Sequence, residues 1–358
     1  MNYREITLRE AIHFKNGKKR PTSEGNIPVY GGNGVLGYAG ESNYEHCIII
    51  GRVGAYCGSV YLEEGKCWVS DNAIAAVPSG DNDTKFFYYL LKGLHLNERH
   101  IGTSQPLLTQ EILNKINCEV PSYPDQQRIA ELLSSLDRKI NVNRKLNDNL
   151  QQQVAALFAN FYDRAETEVG FTEIIQILGG GTPKTGESSY WNGNVPFFTP
   201  KDVGSPYTLA TEKTITEEGL AHCNSRLYPV NTVFVTARGT VGKVGLPGIP
   251  MAMNQSCYAL VGKDTHQLLV YFYTLKAVDR LKHKASGAVF DAITTRDFES
   301  EIIMKLSDDD EKAFLDVAQP IYQAVLSNSI ENLRFAALRD SLLPKLMSGE
   351  IDVSGVQL

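Results

Sequence analysis

The chain is written twice. The segment Gly102-Thr-Ser-Gln-Pro-Leu-Leu-Thr109 aligns with Gly287-Ala-Val-Phe-Asp-Ala-Ile-Thr294, a spacing of 185 residues that continues without a gap far downstream. It pairs Leu113 with Phe298, Asp125 with Asp310, Asn143 with Asn328, Asn147 with Asn332, Leu157 with Leu342 and Phe161 with Leu346. Upstream the match needs small gaps. Ile48-Ile-Ile-Gly-Arg-Val-Gly54 resembles Val233-Phe-Val-Thr-Ala-Arg238 followed by Gly239-Thr-Val-Gly242, and Ser70-Asp-Asn72 falls opposite Met253-Asn-Gln255. A long-period repeat is a unit of architecture. The order is globule, helix, globule, helix.

The helical segments follow from periodicity. Between Asp125 and Arg164 there is neither Gly nor Pro, and Asp125 is the expected N-cap. Apolar residues recur in steps of three and four at Leu133, Leu136, Ile140, Leu150, Val154, Leu157 and Phe161, with Asn143 and Asn147 in the middle of the stripe. That is a coiled-coil seam. The second copy reads Ala318, Ile321, Val325, Asn328, Asn332, Phe335, Arg339, Leu342, Leu346, with Pro320 and Pro344 expected to kink the helix or delay its start. A helix running from one globule to the other and a second one returning must be antiparallel. The expected layers are Asn143 with Asn332, Asn147 with Asn328, Ile140 with Phe335, Leu150 with Val325 and Leu133 with Leu342.

The globular blocks are rich in Gly, Tyr, Val and Ile in short runs such as Ile27-Pro-Val-Tyr30, Cys47–Ile50 and Thr232–Val235. Turn signals separate the runs, so small twisted sheets are expected. Asp83–Leu96 and Gln267–Leu281 are the helix candidates within them. The fold class expected is α+β: two tandem α/β domains separated by a pair of long antiparallel helices, related by a pseudo-twofold. Boundaries are set at 1–124, 125–165, 166–307 and 308–358.

Composition narrows the function. No run is apolar and long enough to span a bilayer, and the opening MNYREITLRE lacks the apolar core of a secretion signal, so the cytoplasm is the expected location. The six cysteines form no C-x-x-C pair and are expected to be reduced thiols filling strands, with no metal bound. Net charge is −6, but residues 308–358 hold nine acidic against four basic side chains and supply most of the excess. The two larger blocks are close to neutral, which leaves room for a basic face on either.

No catalytic motif is present. There is no Asn- or Asp-Pro-Pro-aromatic stretch, no G-x-x-x-x-G-K-[ST] phosphate loop and no H-E-x-x-H. Gly32-Asn-Gly-Val-Leu-Gly37 matches a dinucleotide fingerprint, yet Tyr38-Ala-Gly-Glu-Ser-Asn-Tyr44 does not propagate the helix that the motif requires. It reads as a loop, and no cofactor is expected. Asp308-Asp-Asp-Glu311 reads as a first-turn complement to a helix dipole.

Candidate nucleic-acid contacts are the basic patch Lys15, Lys18, Lys19 and Arg20, expected in a loop before the first strand, and Arg52 and Arg238, which recur after an aliphatic strand in each copy. Amides suited to adenine are Asn72, Asn254 and Gln255. Asn33, Ser104, Gln105, Lys184, Lys201, Lys243, Lys282, Lys284 and Arg296 extend the set, and Tyr190, beside Trp191, is a candidate stacking element. Each has a structural alternative. The basic patch can be a solvated turn, the arginines can tie a sheet edge, the amides can cap turns and the aromatics can be core.

Two openings carry a resemblance. The second block begins Gly179-Gly-Gly-Thr-Pro-Lys184 and continues Tyr190-Trp-Asn-Gly-Asn-Val-Pro-Phe-Phe-Thr-Pro-Lys-Asp202; the first has Asn16-Gly-Lys18 and Pro28-Val-Tyr-Gly-Gly-Asn-Gly-Val-Leu-Gly-Tyr38. With Asp125-Gln-Gln-Arg-Ile-Ala130, Leu136-Asp-Arg-Lys-Ile140 and Leu338-Arg-Asp-Ser-Leu-Leu-Pro-Lys-Leu-Met-Ser-Gly-Glu350, the chain resembles the specificity subunits of type I restriction-modification systems over its whole length. Phe197 or Phe198 stands where that family more often has Trp. The resemblance implies two target-recognition domains reading a split sequence in double-stranded DNA. It also implies helices that act as a ruler and as docking surfaces for two modification (methyltransferase) subunits, and ATP-dependent restriction subunits that join those. Gln126-Gln127 in the first helix against Glu311-Lys312 in the second makes the two docking surfaces alike but not identical. The other reading left open is a duplicated scaffold that binds proteins only.

Overall fold

A computed structural model describes residues 1–102, 105–284 and 292–356. The chain divides into two compact units, Met1–Asn141 with Leu333–Leu358, and Val142–Asn332.

Unit 1 begins with β1 (Tyr3–Thr7), the short α1 (Leu8–Ala11), β2 (Ile12–Asn16), β3 (Ile27–Gly31), β4 (Gly34–Ala39), β5 (Tyr44–Gly51), β6 (Val60–Val69) and β7 (Ala73–Pro78). It continues through α2 (Thr84–Gly93), α3 (Gln110–Asn114) and β8 (Asn117–Pro121) into α4 (Tyr123–Tyr162). Strands β2 to β7 form one sheet in the order β2-β7-β5-β6-β3-β4, while β1 pairs antiparallel with β8. Ile48 and Ile50 turn to one face, where they pack with Phe86, Phe87, Leu90 and Leu91 of α2; Cys47 and Ile49 turn to the other. That alternation is the period-two pattern of a sheet buried on both faces. Asp83 starts α2 by accepting the Phe86 N–H (2.8 Å).

Unit 2 carries the remainder of α4, then β9 (Thr167–Gly170), α5 (Phe171–Ile174), β10 (Ile175–Gly179), β11 (Trp191–Phe198), β12 (Tyr207–Thr208), β13 (Lys213–Ile215) and α6 (Glu217–Ala221). Next come β14 (Val233–Thr236), β15 (Val244–Pro247), β16 (Ala252–Met253), β17 (Cys257–Gly262), α7 (Gln267–Lys284), α8 (Thr295–Glu299), β18 (Ile302–Lys305) and α9 (Asp308–Met347). The last residues of α9, from Leu333, return to unit 1.

The repeat is visible in backbone pairing. Strand β9 pairs with β18 as β1 does with β8, and β3-β6 and β11-β16 are both short parallel contacts. One long strand differs. Residues of β6 serve both β5 and β3, whereas in unit 2 Gly248-Ile-Pro250 interrupts the chain and β15 and β16 fall in separate sheets. Proline has no N–H to donate to a ladder, so Pro250 weakens pairing at this point.

The Asn layers fall where the sequence places them, both inside unit 2. Asn143 Nδ2 donates to Asn332 Oδ1 (3.0 Å) and to Glu331 (2.6 Å). Asn328 Nδ2 donates to Asn147 Oδ1 (2.8 Å), whose own Nδ2 reaches the Val325 carbonyl (3.1 Å). Numbers that rise on α4 as they fall on α9 make the helices antiparallel. Leu150 and Val325 share one core, as do Leu133 and Leu342 in unit 1; Ile140 is buried and Phe335 half-buried. In unit 1 the seam position Arg339 is met by Asp137 (2.5 Å), which also accepts from the Tyr89 hydroxyl (2.6 Å).

Several local expectations are corrected. Asp125 is the third residue of α4, bonded by Ser122 (2.8 Å) and Arg128 (2.9 Å), so it is not the N-cap. Helix α9 starts at Asp308 and runs through Pro320 and Pro344. Gln126 is not on a docking surface: it is 1% exposed and ties α4 to the start of α2 by accepting the Asp83 N–H (2.9 Å). Its counterpart Glu311 is half-buried, and burial pushes its carboxyl above the ordinary range. The six cysteines are free, but Cys57 and Cys223 lie in turns rather than strands. Cys47 and Cys67 face each other at 3.6 Å, and that hydrogen bond, then burial, raises the Cys47 thiol.

Candidate nucleic-acid interface

The first domain's candidates gather at one end of its sheet. Gly17 N–H donates to the Ala73 carbonyl (2.9 Å) and Lys18 N–H to that of Val69 (3.0 Å), so the basic stretch is laid against the start of the Ser70-Asp-Asn72 turn. Glycine is required at 17, because a Cβ there would lie 1.9 Å from the Ser70 carbonyl oxygen. The four basic residues are not one loop patch. Lys15 belongs to β2, opposite Ala75, and only Lys18, Lys19 and Arg20 lie in the loop. Arg20 reaches β4, where its guanidinium donates to the Tyr38 carbonyl (3.4 Å).

Gly32-Asn33 is the tip of the β3–β4 hairpin, followed by Gly34 with φ +79°. The glycine fingerprint is thus a strand–turn–strand, and lacks the helix that a pyrophosphate would need. Asn33 is exposed there, as are Val35, Leu36 and Tyr38 along the edge strand. Arg52 N–H donates to the Asn72 carbonyl (3.0 Å) and the Arg52 carbonyl accepts from Leu108 (2.9 Å), while its Nε is buried without a partner among the described residues. Asn72 and Gln105 are exposed beside this loop, and Gly54 bonds the Pro106 carbonyl (3.1 Å). Ser104 lies outside the described residues.

The second domain repeats this frame with a corrected register. Asn254 N–H donates to the Phe198 carbonyl (3.0 Å) as Ser70 N–H does to that of Tyr30 (2.9 Å). A Cβ on Gly180 would meet the Asn254 carbonyl at 2.1 Å, as one on Gly17 would meet Ser70. Ser70 therefore corresponds to Asn254 and Asn72 to Ser256, one residue along from the sequence alignment. The arginines shift as well. Val53 bridges Leu107 and Arg238 bridges Ala292, so Arg238 takes the place of Val53, while Arg52 takes that of Ala237. Arg52 and Arg238 are not equivalents.

Lys201, Arg238 and Asn254 come together in an open cleft of about 360 Å³ with Thr199, Glu212, Lys213 and Ser256. Sequence reasoning missed Lys213, which sits on a three-residue strand with no pattern around it, and Ser256, which only the register reveals. Lys213 lies over the Trp191 ring, 5.9 Å from its centroid, and Lys201 is 3.7 Å from Glu212. Behind the cleft, burial pushes the Cys257 thiol up to about 12, so it stays protonated.

The remaining candidates divide. Lys243 is exposed on the turn between β14 and β15, where a Cβ on Gly242 would touch the Lys282 side chain (2.5 Å). Lys184, Gln255 and Arg296 are exposed, with Gln255 accepting from the Thr182 hydroxyl. Lys284 is committed elsewhere, paired with Arg280 on the carboxylate of Glu301, which is 1% exposed. Tyr190 stacks on His222 at 5.0 Å, so its ring already has a partner.

Among the described residues no group of three His, Cys, Asp or Glu is placed to hold a metal ion, and no helix is long and apolar enough to cross a membrane.

Comparison with known proteins gives one consistent likeness. Residues 2–152 and 167–311 match the Type I restriction modification DNA specificity domain. The MjaIX specificity subunit of Methanocaldococcus jannaschii is 32% identical over 124 residues, which take in 33% of this chain and 29% of that one. The HindI specificity subunit of Haemophilus influenzae is 23% identical over 327 residues, 69% of this chain and 71% of the relative. The EcoR124I/EcoR124II specificity subunit of Escherichia coli is 25% identical over 213 residues, 54% and 51% of the two chains. The matches thus span between 29% and 71% of these relatives' lengths. The crystal structure of a type I S subunit from M. genitalium shares the fold, with a TM-score of 0.63 over 97% of this chain and 96% of that one at 18% identity.

Proposed function

Because the chain belongs to the type I restriction-modification DNA specificity family, we propose that each of its two domains reads one half of a split sequence in double-stranded DNA. The observation that carries this reading is a repeated backbone frame with unlike side chains. Tyr30, Ser70, Asn72 and Val53 occupy the places of Phe198, Asn254, Ser256 and Arg238. A shared frame presenting different donors and acceptors suits two readers of two different half-sites. A duplicated protein-only scaffold gives no reason for a cationic cleft at that end of the sheet.

The chain supplies recognition and no chemistry of its own. Two modification subunits dock on α4 and α9, restriction subunits join them, and the complex works in the cytoplasm. Lys18, Lys19, Arg20, Asn33, Asn72 and Gln105 face DNA from the first domain, and Lys201, Lys213, Arg238 and Asn254 from the second. The test is to co-express the chain with its modification subunits in a methylation-free host and map modified bases genome-wide. A single bipartite sequence is expected. Random modification, or none above background, would refute the reading.

A further inference from the structure

One place in the fold carries opposite chemistry in the two domains. Val53 and Arg238 both close an antiparallel bridge, and each is followed by a glycine in the left-handed region, Gly54 at φ +71° and Gly239 at φ +82°. The neighbours differ in the same sense. Asn33 lies three residues beyond Tyr30, and Lys201 three beyond Phe198. The first domain therefore presents neutral side chains here, and the second presents cations.

The cations are not equally available. Lys201 is held loosely by Glu212, and Lys213 is drawn over the Trp191 ring. Arg238 is exposed and makes no side-chain hydrogen bond or ion pair among the described residues. Its backbone is fixed all the same, because it lies two residues beyond β14, bridges Ala292 and donates its N–H to the Ser256 carbonyl (3.2 Å). A guanidinium on a rigid anchor with every donor unspent suits bidentate recognition. A planar fork matches O6 and N7 of guanine, whereas a lysine binds phosphate as a point charge.

We propose that Arg238 is a specificity-determining residue of the second domain, gripping a guanine in the major groove while Lys201 and Lys213 hold the flanking phosphates. The assignment rests on the DNA-reading function proposed above. It places a guanine in the half-site read by residues 166–307, and no equivalent contact at Val53.

The experiment uses the full chain with its modification subunits, acting on a plasmid library randomised across both half-sites. Modified sequences are compared for the unaltered chain, Arg238→Ala, Arg238→Lys and Lys213→Ala. Loss of one bidentate contact costs about 10- to 100-fold in discrimination. Arg238→Ala and Arg238→Lys should both lose guanine selection by that factor at one position of one half and leave the other half intact. Lys213→Ala should slow modification of all sequences alike and flatten its salt dependence. An unchanged sequence preference in Arg238→Ala overturns the assignment, as does uniform weakening with no change of base. Absence of any selected sequence with the unaltered chain overturns the DNA-reading function itself, which is a distinct result.

Discussion

Gly17 shows how a single residue shapes the candidate interface. It lets the basic loop lie against the backbone of Ser70, and Gly180 does the same against Asn254. Both were legible as motif residues, Asn16-Gly17-Lys18 and Gly179-Gly-Gly181, but the reason for them is a close backbone approach that no spacing reveals. Gly17→Ala should lower stability by about 1–3 kcal/mol, the usual range for overpacking. Gly186→Ala, whose added methyl would meet nothing within 4 Å, serves as the control. Denaturant midpoints of the two variants check this, and equal midpoints would contradict it. The exposed cations and amides were legible too, because charged and polar side chains are mostly exposed. The non-equivalence of Arg52 and Arg238 was not. Both stand near glycines after an aliphatic strand, and a one-residue slip between gapped copies leaves that local pattern intact. Only the ladder partners, Ala73 for Gly51 and Cys257 for Thr236, reveal it.

Among the elements, the two long helices were the most legible. Their seam follows a period that packing enforces, and both Asn layers stand where periodicity puts them. Toward the end of α4 the sequence stripe favours Leu157 and Phe161, yet Phe158 and Tyr162 are the buried pair, because Phe158 stacks on Phe272 of α7 at 4.9 Å. The prolines misled for a related reason. Pro320 and Pro344 are both exposed, so the carbonyls of Asp316 and Asp340 that they leave unbonded can turn to water. The Asn layers give a sharper prediction. Asn147→Leu alone leaves Asn328 without the partner of its amide N–H and should cost about 1–3 kcal/mol. Adding Asn328→Leu removes both polar groups and should recover most of that loss. A double-mutant cycle by denaturant titration measures the coupling, and additive losses would mean that the two amides do not act as a pair.

At the scale of the whole molecule, the repeat leads to the proposal that specificity is modular. Exchanging residues 166–307 for the matching block of a related subunit should change one half of the methylated sequence and leave the other as it was. The helices are proposed to set the gap between the halves. Four residues added after Asn147, with four more between Ser327 and Asn328 to keep the antiparallel layers matched, lengthen the pair by about 6 Å. That approaches two base-pair steps of 3.4 Å. Methylation mapping should return the same halves with a longer gap; an unchanged gap would dispose of the ruler.

The division of the chain also orders its synthesis. Unit 2 is one continuous stretch, Val142–Asn332, whereas unit 1 takes residues 1–141 together with 333–358. Leu346 and Val353 are fully buried in the core of unit 1, and the Tyr3 hydroxyl donates to the Leu346 carbonyl (2.6 Å). A ribosome therefore releases the domain it began first only after it has finished the other. Until then the earlier domain lacks Leu342, Leu346 and Val353, which pack in the same core as Ile129 and Leu133.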